Sequence, residues 1–567
     1  MKKKIFKVIS IIIVITILFG YNIFSQRRNE NNRPNILIIL ADDMGFSDPG
    51  CFGGEIHTPN IDWLAKNGIR ISNFYNRSRC CPSRASLLTG LYSHDAGIGE
   101  MTFDEHLPGY RGYLTENTVT IAEVLKMAGY NTAMCGKWHV SNTFPLPDKD
   151  SQLNWLNHKI FLSKFSPVSQ YPISRGFDKF YGTIWGVVDY FDPFSLVYDS
   201  TPIKNVPKGY YHTDAINDSA VSFINQMSKS NKPFFLYVAE NAPHWPLMAK
   251  EIDIKKYENT YKVGWEKIRI ARYNKMCKLG LIDSSTTRLS KRWEDNLKWE
   301  SNPDSIWDAR AMAVHAAMID CMDQGIGRIL DALRRNGKID NTLIFFLSDN
   351  GASPEICAQY GPGFDRPSET RKGIKIVYPV HKNVLPGPEN VFASIGPRWA
   401  NVANTPYRYW KAESYEGGIH TPMIVFWPNG IKIKPGTIVK DYIGDVIDIM
   451  PTIVDVARAK YPKYYKGHKI TPMQGISMLP LFKGKRVHGH DTLYNEHYGS
   501  AYVRIKNWKL VRLQKDSSWH LYDFDNDKSE MIDLKDKFPF LVKKMDSIWR
   551  VWANKNNVFP KPSKKNE

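Results

Sequence analysis

The chain has 567 residues and a formal net charge of +19. This length exceeds what one small hydrophobic core can organise, so we expect at least two domains. The apolar content, with 16 Trp and 29 Tyr, is typical of a globular protein rather than a disordered one. Basic proteins often bind nucleic acid, anionic membranes or acidic substrates. Because the body of the chain has no long Lys/Arg run and no nucleic-acid-binding motif, we expect no nucleic-acid partner.

The N-terminus has the pattern of an export signal. Four lysines (Lys2, Lys3, Lys4 and Lys7) precede an apolar run at residues 8–20. The pattern predicts a signal peptide over residues 1–25 and a polar linker over residues 26–33, and therefore a periplasmic or secreted protein. The alternative is an uncleaved anchor, the one case in which we expect contact with a membrane. No later stretch is long and apolar enough to span a bilayer.

Buried strands and helices alternate along the first 460 residues. Short apolar runs predict strands at 34–40, 132–134, 233–238, 342–347 and 423–426. Cap residues and apolar periodicity predict helices at 60–68 with Asn60 as the cap, from a capping box at Thr120 to Gly129, and at 211–227, 309–336 and 445–457. This alternation is typical of a doubly wound α/β domain, which we expect over residues 34–485.

Three further regions differ in character. Residues 249–308 are polar, charged and punctuated by Trp, and we expect surface helices and loops there. Residues 352–405 are rich in Pro and Gly and predict a long loop system. From about residue 491 the pattern changes to antiparallel strands followed by a helix at 541–552. We therefore expect a smaller α+β domain over residues 486–567.

Two polar clusters follow buried strands. Asp42 and Asp43 come after the first strand, and Asp349 and Asn350 after the strand at 342–347. Ordinary polar turns are one interpretation, but open α/β sheets place ligands beyond the carboxyl ends of their strands. Adjacent carboxylates repel each other and require a cation. Four oxygen ligands, three of them carboxylates, suit a hard divalent cation, and Ca²⁺ is favoured over Mg²⁺ because no rigid octahedral set is evident. Zinc is disfavoured because the cluster lacks a His or Cys ligand.

Other strand-end residues carry basic side chains. Lys137 and His139 are two apart, so in an extended segment they would point the same way. His244 lies between Pro243 and Pro246, which predicts a rigid loop. Taken singly, such residues are often ordinary surface or packed-loop side chains. Whether they indicate a functional site depends on the other residues that accompany them.

A cysteine motif organises the chain. The seven cysteines show no C-x-x-C spacing and no dense framework, so the sequence identifies no disulfide. Residues 80–90 read CCPSRASLLTG, which predicts a short helix with Pro82 at its first position and Gly90 just past its end. Cys80 then lies at a helix N-terminus, where anions are favoured, and Arg84 returns to the same side of the helix. A buried structural cysteine is the alternative interpretation.

The motif C-x-P-S-R followed by L-T-G resembles the signature of the type I sulfatases, and the likeness covers roughly residues 34–560. Segments PGYRG at 108–112, GKWH at 136–139, RGFD at 175–178, APHWP at 242–246 and EGGI at 416–419 are similar to the bacterial arylsulfatase-like group. The resemblance implies an alkaline-phosphatase-like mixed sheet flanked by helices, with a smaller C-terminal domain. One departure is that Gly444 and Asp445 stand where the family usually has a histidine, and we expect no catalytic consequence.

The resemblance also implies residue roles. Cys80 would be oxidised to formylglycine (3-oxoalanine), while Cys81 would be structural. The formylglycine would complete the calcium ligands Asp42, Asp43, Asp349 and Asn350. Arg84 and Lys137 would hold the formylglycine and His139 would be its base, whereas His244 and Lys411 would bind sulfate and assist the leaving group.

The implied reaction is hydrolysis of a sulfate monoester. A hydroxyl of the hydrated aldehyde would attack sulfur, and the covalent sulfate would be expelled when His139 removes a proton from the second hydroxyl. The substrate would be a sulfate ester, most simply on a carbohydrate, since aromatic-rich loops suit a sugar. The partner that makes the aldehyde would be a formylglycine-generating enzyme or an anaerobic sulfatase-maturating enzyme.

Two alternatives come from other classes. A phosphatase or phosphonate hydrolase of the same superfamily would use the same framework on a different anion. A non-catalytic protein that binds sulfated glycans would result if Cys80 stayed unmodified. The filled set of expected catalytic positions favours the sulfatase over the binder, and the many cations expected around the anion favour sulfate.

Overall fold

The computed structural model describes residues 33–291 and 297–562. The predicted signal peptide at 1–25, and the predicted linker except for Arg33, lie outside the described residues and stay predictions. Within the described ranges, no helix combines the length and apolar character needed to cross a membrane. All seven cysteines are free thiols.

The larger domain is built on a ten-stranded mixed sheet. In chain order the strands are β1 (Asn35–Ala41), β2 (Ile69–Tyr75), β3 (Asn131–Lys137), β4 (Lys179–Thr183), β5 (Leu196–Tyr198), β6 (Thr201–Pro202), β7 (Phe234–Ala239), β8 (Thr342–Ser348), β9 (Met423–Phe426) and β10 (Ile438–Asp445). Their spatial order in the sheet is β10-β2-β9-β8-β1-β7-β3-β4-β5-β6.

The centre of this sheet is parallel. Strand β1 pairs with β8 on one side and β7 on the other, and β7 pairs with β3. Strands β1, β7 and β8 are buried along their whole length, as expected for parallel strands covered on both faces. Because the carboxyl ends of parallel strands meet at one edge of a sheet, the segments after β8, β1, β7 and β3 lie side by side.

Helices pack on both faces of the sheet and divide the core into two large apolar clusters. The helices of the larger domain are Pro59–Asn67, Cys80–Thr89, Ile121–Met127, Lys149–Leu156, His212–Met227, Glu251–Ile254, Trp265–Lys278, Ser305–Arg335, Gly396–Ala403, Glu416–Ile419, Ile449–Ala457 and Leu479–Phe482. The predicted inner stripe of the longest helix, which includes Met322 and Ile326, is fully buried.

The C-terminal part is a separate two-layer unit of one antiparallel sheet and one helix. Strands β13 (Thr492–His497), β14 (Ser500–Ile505), β15 (Trp508–Arg512) and β16 (His520–Asp523) form an antiparallel sheet in sequential order. The helix Pro539–Lys555 packs on it through Trp549, which is fully buried. A small hairpin, β11 (Tyr464–Tyr465) and β12 (His468–Lys469), precedes this region.

The predicted fold class, a mixed sheet flanked by helices with a smaller C-terminal α+β part, is confirmed. The capping box at Thr120 is present, with Glu123 as its partner. The helix predicted from Asp445 begins as a short 3-10 turn that Asp445 caps, and it continues as the helix Ile449–Ala457. The exact domain boundaries at residues 33/34 and 485/486 stay predictions.

Two predicted helix starts are wrong in detail. The helix expected at 60–68 begins at Pro59, so Thr58 holds the cap position. Asn60 instead donates through Nδ2 to an Asp323 carboxylate oxygen at 2.8 Å. The cysteine helix begins at Cys80 itself, which moves Pro82 to the third position. Proline is tolerated there because the first four backbone N–H groups of a helix lack intrahelical partners.

Two regions expected to be loops or surface are more ordered and more buried than predicted. The described residues of the segment 249–308 contribute buried side chains to the core, including Tyr261, Trp265 and Arg272. Arg272 is buried because Asp48 and Glu55 pair with its guanidinium, each at 2.7 Å. The long loop system at 352–405 contains the helix Gly396–Ala403.

Candidate active site

The cysteine helix positions the first group of site residues. Cys80 is its first residue, and Gly90 ends it in a left-handed conformation with φ +69°. Arg84, one turn after Cys80, is fully buried. Its Nε and Nη2 both donate to Asp349 Oδ2, at 2.9 and 2.8 Å, and its Nη1 donates to the Lys137 carbonyl at 2.9 Å. The helix is thereby joined to the ends of β8 and β3.

The strand-end carboxylates meet as predicted. Asp43 accepts from the Asn350 amide Nδ2 at 2.6 Å, and its backbone N–H donates to Asp349 Oδ1 at 3.3 Å. Asp42 accepts from the Lys137 ammonium at 2.5 Å. Asp42, Asp43, Asp349 and Asn350 are all buried. The parallel order of β8, β1 and β3 therefore brings together residues separated by about 300 positions.

This cluster fits a hard divalent cation. Asp42 Oδ1 and Asn350 Oδ1 are buried and accept no hydrogen bond, which leaves two oxygens free to coordinate. Burial and the neighbouring charge of Asp42 raise the pKa of Asp349 well above its usual range, so added positive charge would be favourable there. Carboxylate and amide oxygens are the donor set that Ca²⁺ prefers.

One premise of the metal prediction is wrong. The cluster was expected to contain no histidine, but a His244 nitrogen lies within 4.8 Å of oxygens of Asp42 and Asp43. The predicted oxygen set is nevertheless complete without it, and His244 is already engaged. Its Nε2 accepts from the Lys411 ammonium at 3.0 Å, and its Nδ1 donates to the Trp245 carbonyl at 2.5 Å.

Lys411 and His244 form a second group beside the carboxylates. The Lys411 ammonium contacts Asp43 at 2.9 Å, His244 at 3.0 Å and Glu355 at 3.5 Å. Burial and the charge of Lys411 lower the pKa of His244, while Asp43 opposes this shift. The imidazole is therefore neutral at pH 7 in this arrangement, with the unprotonated Nε2 facing Lys411.

His139 reaches the site by a different backbone path from the one predicted. Its φ of +53° is left-handed, so the extended-segment geometry expected for Lys137 and His139 is wrong. The imidazole still lies beside Cys80, since ligand atoms of Cys80, Cys81 and His139 are all within 4.8 Å of one another. Burial lowers the pKa of His139 to about 4, which keeps it neutral and able to accept a proton.

The two adjacent thiols have opposite electrostatic environments. Hydrogen bonding from Cys81, with Lys137 and His139 nearby, holds the pKa of Cys80 well below its usual range even though burial opposes this. Burial and the neighbouring Cys80 raise the pKa of Cys81. Cys80 is therefore the more thiolate-like of the pair.

Glu355 and Arg79 are site residues that the sequence pattern did not indicate. Glu355 lies in the Pro/Gly-rich region and contacts Arg79 at 3.3 Å and Lys411 at 3.5 Å. It also accepts from the Trp245 indole Nε1 at 2.5 Å. The sequence could have indicated them only through their positions: Arg79 directly precedes Cys80, and Glu355 comes six residues after Asp349. Neither belongs to a recognisable motif.

The mixed sheet, the buried cationic cluster and the strand-end carboxylates define a hydrolase of anionic esters. A model of the sulfatase family matches residues 34–459, and a model described as N-sulphoglucosamine sulphohydrolase, C-terminal, matches residues 407–547. The chain therefore belongs to the sulfatase family, and it is a sulfuric ester hydrolase.

Similar proteins span nearly the whole chain. An uncharacterised sulfatase of Schizosaccharomyces pombe is 32% identical, covering 95% of this chain and 96% of the relative. An arylsulfatase of Klebsiella aerogenes is 33% identical, covering 80% of this chain and 93% of the relative. The crystal structure of Ps i-CgsB in complex with k-i-k-neocarrahexaose aligns with a TM-score of 0.63 and 26% identity, covering 94% of this chain and 95% of that chain.

Proposed function

We propose that the protein hydrolyses sulfate monoesters of carbohydrates and that formylglycine made from Cys80 is its nucleophile. The observation that carries the proposal is the convergence of Lys137, His139, His244 and Lys411 around Cys80 and the strand-end carboxylates. Support for a carbohydrate comes from two relatives. Ps i-CgsB was crystallised with a neocarrahexaose, and a relative from Bacteroides thetaiotaomicron, 25% identical, is an N-acetylglucosamine-6-O-sulfatase.

The protein's own side chains bind and orient the sulfate group. Lys137, Lys411 and Arg84 are buried cations near enough to Cys80 to interact with its charge. They would favour the transition state because negative charge develops near them. Arg84 is held in place by Asp349, which fixes its guanidinium without competition from water. The formylglycine at position 80 would supply a hydrated aldehyde whose hydroxyl attacks sulfur.

Two histidines would manage the protons. His139, neutral and adjacent to position 80, can accept a proton from a hydroxyl there. His244 is placed to protonate the departing ester oxygen through Nε2. Lys411 Nζ lies 3.0 Å from that nitrogen, and its positive charge would assist by stabilising the negative charge that develops on the departing oxygen.

We also propose that Asp42, Asp43, Asp349 and Asn350 hold one Ca²⁺ per chain, completed by the modified residue 80. When bound, the ion would lower the pKa of a coordinated oxygen and neutralise developing charge. Elemental analysis should give one calcium per chain and no stoichiometric zinc. The Asp349→Ala variant should lose calcium and most activity while remaining folded.

Maturation and location complete the proposal. A formylglycine-generating or anaerobic sulfatase-maturating enzyme would act on Cys80, and the N-terminal segment would direct export to the periplasm or medium. Cell fractionation, with N-terminal sequencing of the mature protein, tests the export proposal. A protein found in the cytoplasm with residues 1–25 intact would contradict it.

The direct functional test is sulfate release. Protein produced with a maturating enzyme should release sulfate from members of a panel of sulfated sugars, whereas Cys80→Ala should release none. Phosphate and phosphonate esters of the same alcohols test the superfamily alternative and should be poorer substrates. Tight binding of sulfated sugars without any release would support the non-catalytic alternative instead.

A further inference from the structure

A cluster of soft donor atoms lies in the unmodified protein, beside but chemically unlike the oxygen cluster. It consists of the thiols of Cys80 and Cys81 and the imidazole of His139, whose ligand atoms lie within 4.8 Å of one another. All three residues are buried. We propose that the form with an unmodified Cys80 binds a thiophilic cation of the Zn²⁺ kind at these three residues. The inference concerns the cysteine form and does not rest on the proposed function.

The spacing of the donors fits this ion. Zn–S bonds of about 2.3 Å in a tetrahedral site place two sulfur ligands roughly 3.8 Å apart. The observed spread exceeds this by at most about 1 Å, which small rotations of the side chains can close. His139 Nδ1 is buried without a hydrogen-bond partner, so one of the three residues carries an orphaned polar atom of the kind that a ligand can satisfy.

The surroundings add a fourth soft atom. Cys81 Sγ lies 3.5 Å from Met101 Sδ and 3.4 Å from the Glu100 carbonyl oxygen. A set of two thiolates, one imidazole and a nearby thioether is typical of sites for zinc or copper(I), and it is unlike the oxygen set that calcium prefers. The oxygen cluster therefore suits a hard cation, and the thiol and imidazole cluster suits a soft one.

Nearby positive charge does not exclude a cation. Three neighbouring cations are each paired with a carboxylate: Lys137 with Asp42, Arg84 with Asp349 and Arg79 with Glu355. On binding, each thiol releases its proton and contributes a negative charge, so a divalent ion is neutralised by its own ligands.

A bound ion would also shield Cys80. Alkylating agents and oxidants attack the free thiolate, and a thiolate held by a metal in a buried site is less available to them. Zinc should therefore slow alkylation of Cys80 but not of Cys51, a partly buried thiol that is not part of the cluster.

The test uses the full chain from a host without cysteine-modifying enzymes, with mass spectrometry confirming a thiol at position 80. Zn²⁺ is titrated against a chromophoric chelator in excess calcium. We expect one zinc per chain, and affinity lower by roughly tenfold or more in Cys80→Ala, Cys81→Ala and His139→Ala. Cys51→Ala is the matched control and should bind like the parent.

Cobalt provides a second readout that does not depend on affinity. Co²⁺ in the parent protein should give a near-ultraviolet thiolate-to-metal band that Cys80→Ala and Cys81→Ala each weaken, because each variant keeps only one of the two thiolates. Melting curves without metal show whether each variant is folded. Zinc binding that persists in Cys80→Ala and Cys81→Ala but is lost in Asp43→Asn would place the ion at the oxygen cluster and overturn the inference. Absence of stoichiometric binding would overturn it too.

Discussion

At the residue scale, neighbouring side chains of the same type are made chemically different by their surroundings. Cys80 has Lys137 and His139 beside it, whereas Cys81 faces the Glu100 carbonyl and Met101. The register of the motif is enough to single out Cys80, because only Cys80 lies two residues before Pro82 and four before Arg84. The electrostatic difference between the thiols could not be predicted, since it depends on residues distant in sequence.

His244 provides a residue-scale prediction about the leaving group. General acid catalysis typically contributes about 10²–10⁴-fold, and it matters most when the departing oxygen is basic. His244→Ala should therefore reduce kcat by about that factor for a sugar sulfate, and far less for nitrophenyl sulfate. The exposed histidine His381 is a control, and His381→Ala should leave both rates unchanged. Equal losses on both substrates would show that His244 is not the acid.

Gly186 provides a second prediction, because it packs against the His139 ring. A Cβ built at Gly186 would lie 2.4 Å from His139 Cε1 and Nε2. Gly186→Ala should push the imidazole away, and a displacement of about 1 Å can cost on the order of 10²-fold in rate. Gly361→Ala is the matched control, since nothing lies within 4 Å of its Cβ.

The measurements for this pair are kcat and the melting temperature. Gly186→Ala should lose activity while its melting temperature stays close to that of the Gly361→Ala control, since Gly186 is half-buried and lies outside the hydrophobic core. Full activity of Gly186→Ala would show that the observed position of His139 is not required for catalysis.

At the element scale, the sequence predicted which strands and helices form better than it predicted the course of the backbone between them. Strand β1 and the carboxylates after it were predicted because a continuous apolar run ends in two aspartates. The left-handed turn at His139 was not, since no glycine or asparagine marks it. Within residues 249–308, Tyr261, Trp265 and Arg272 are buried although the segment was predicted to lie on the surface, because the polarity of a sequence does not show which charged residues pair. Arg272 is buried only because Asp48 and Glu55 are there to meet it.

His212 gives an element-scale prediction, since it supports the loop that carries His244. Its Nε2 donates to Asn241 Oδ1 at 3.1 Å, and its Nδ1 accepts from the Tyr210 hydroxyl at 2.8 Å. Burial lowers the pKa of His212 from 6.5 to about 3. The unfolded chain therefore binds a proton that the folded chain does not between these values. Above pH 6.5 the imidazole of His212 is neutral in both states and its contribution to folding stability is complete. As the pH falls from 6.5 toward 3, the unfolded chain gains the proton first and this stability is lost.

The His212→Gln variant removes this titration while keeping a donor and an acceptor. Its melting temperature should fall less than that of the parent between pH 7 and pH 4.5, since each pKa unit corresponds to about 1.4 kcal/mol. Melting curves at half-unit steps of pH make the comparison. Identical pH profiles for the two proteins would contradict the assignment of a neutral, buried His212.

At the scale of the whole molecule, the smaller C-terminal part is tied to the larger domain by buried charge. Lys509 on β15 pairs with Glu416 of the larger domain and with Glu530, each at 2.7 Å, and all three side chains are buried. The antiparallel strands were predictable from their turns and alternation. The contact between the two parts could not be predicted, because the sequence around a single lysine in a strand does not show which distant carboxylates it will pair with.

Lys509→Met should destabilise the protein by about 3–5 kcal/mol, because removing one partner leaves buried carboxylates uncompensated. Lys543→Met, at an exposed position of the C-terminal helix, is the matched control and should change stability by less than about 0.5 kcal/mol. Chemical denaturation of both variants measures the difference. A Lys509→Met protein as stable as the control would show that the ion pairs do not hold the two parts together.

The central claim is that Cys80 becomes the nucleophile of a sulfatase. Mass spectrometry of the peptide containing residues 80 and 81, taken from a preparation that releases sulfate, tests it most directly. We predict an aldehyde at position 80 and an unmodified thiol at position 81. A fully active preparation in which residue 80 remains cysteine, or in which the aldehyde lies at position 81, would contradict the account.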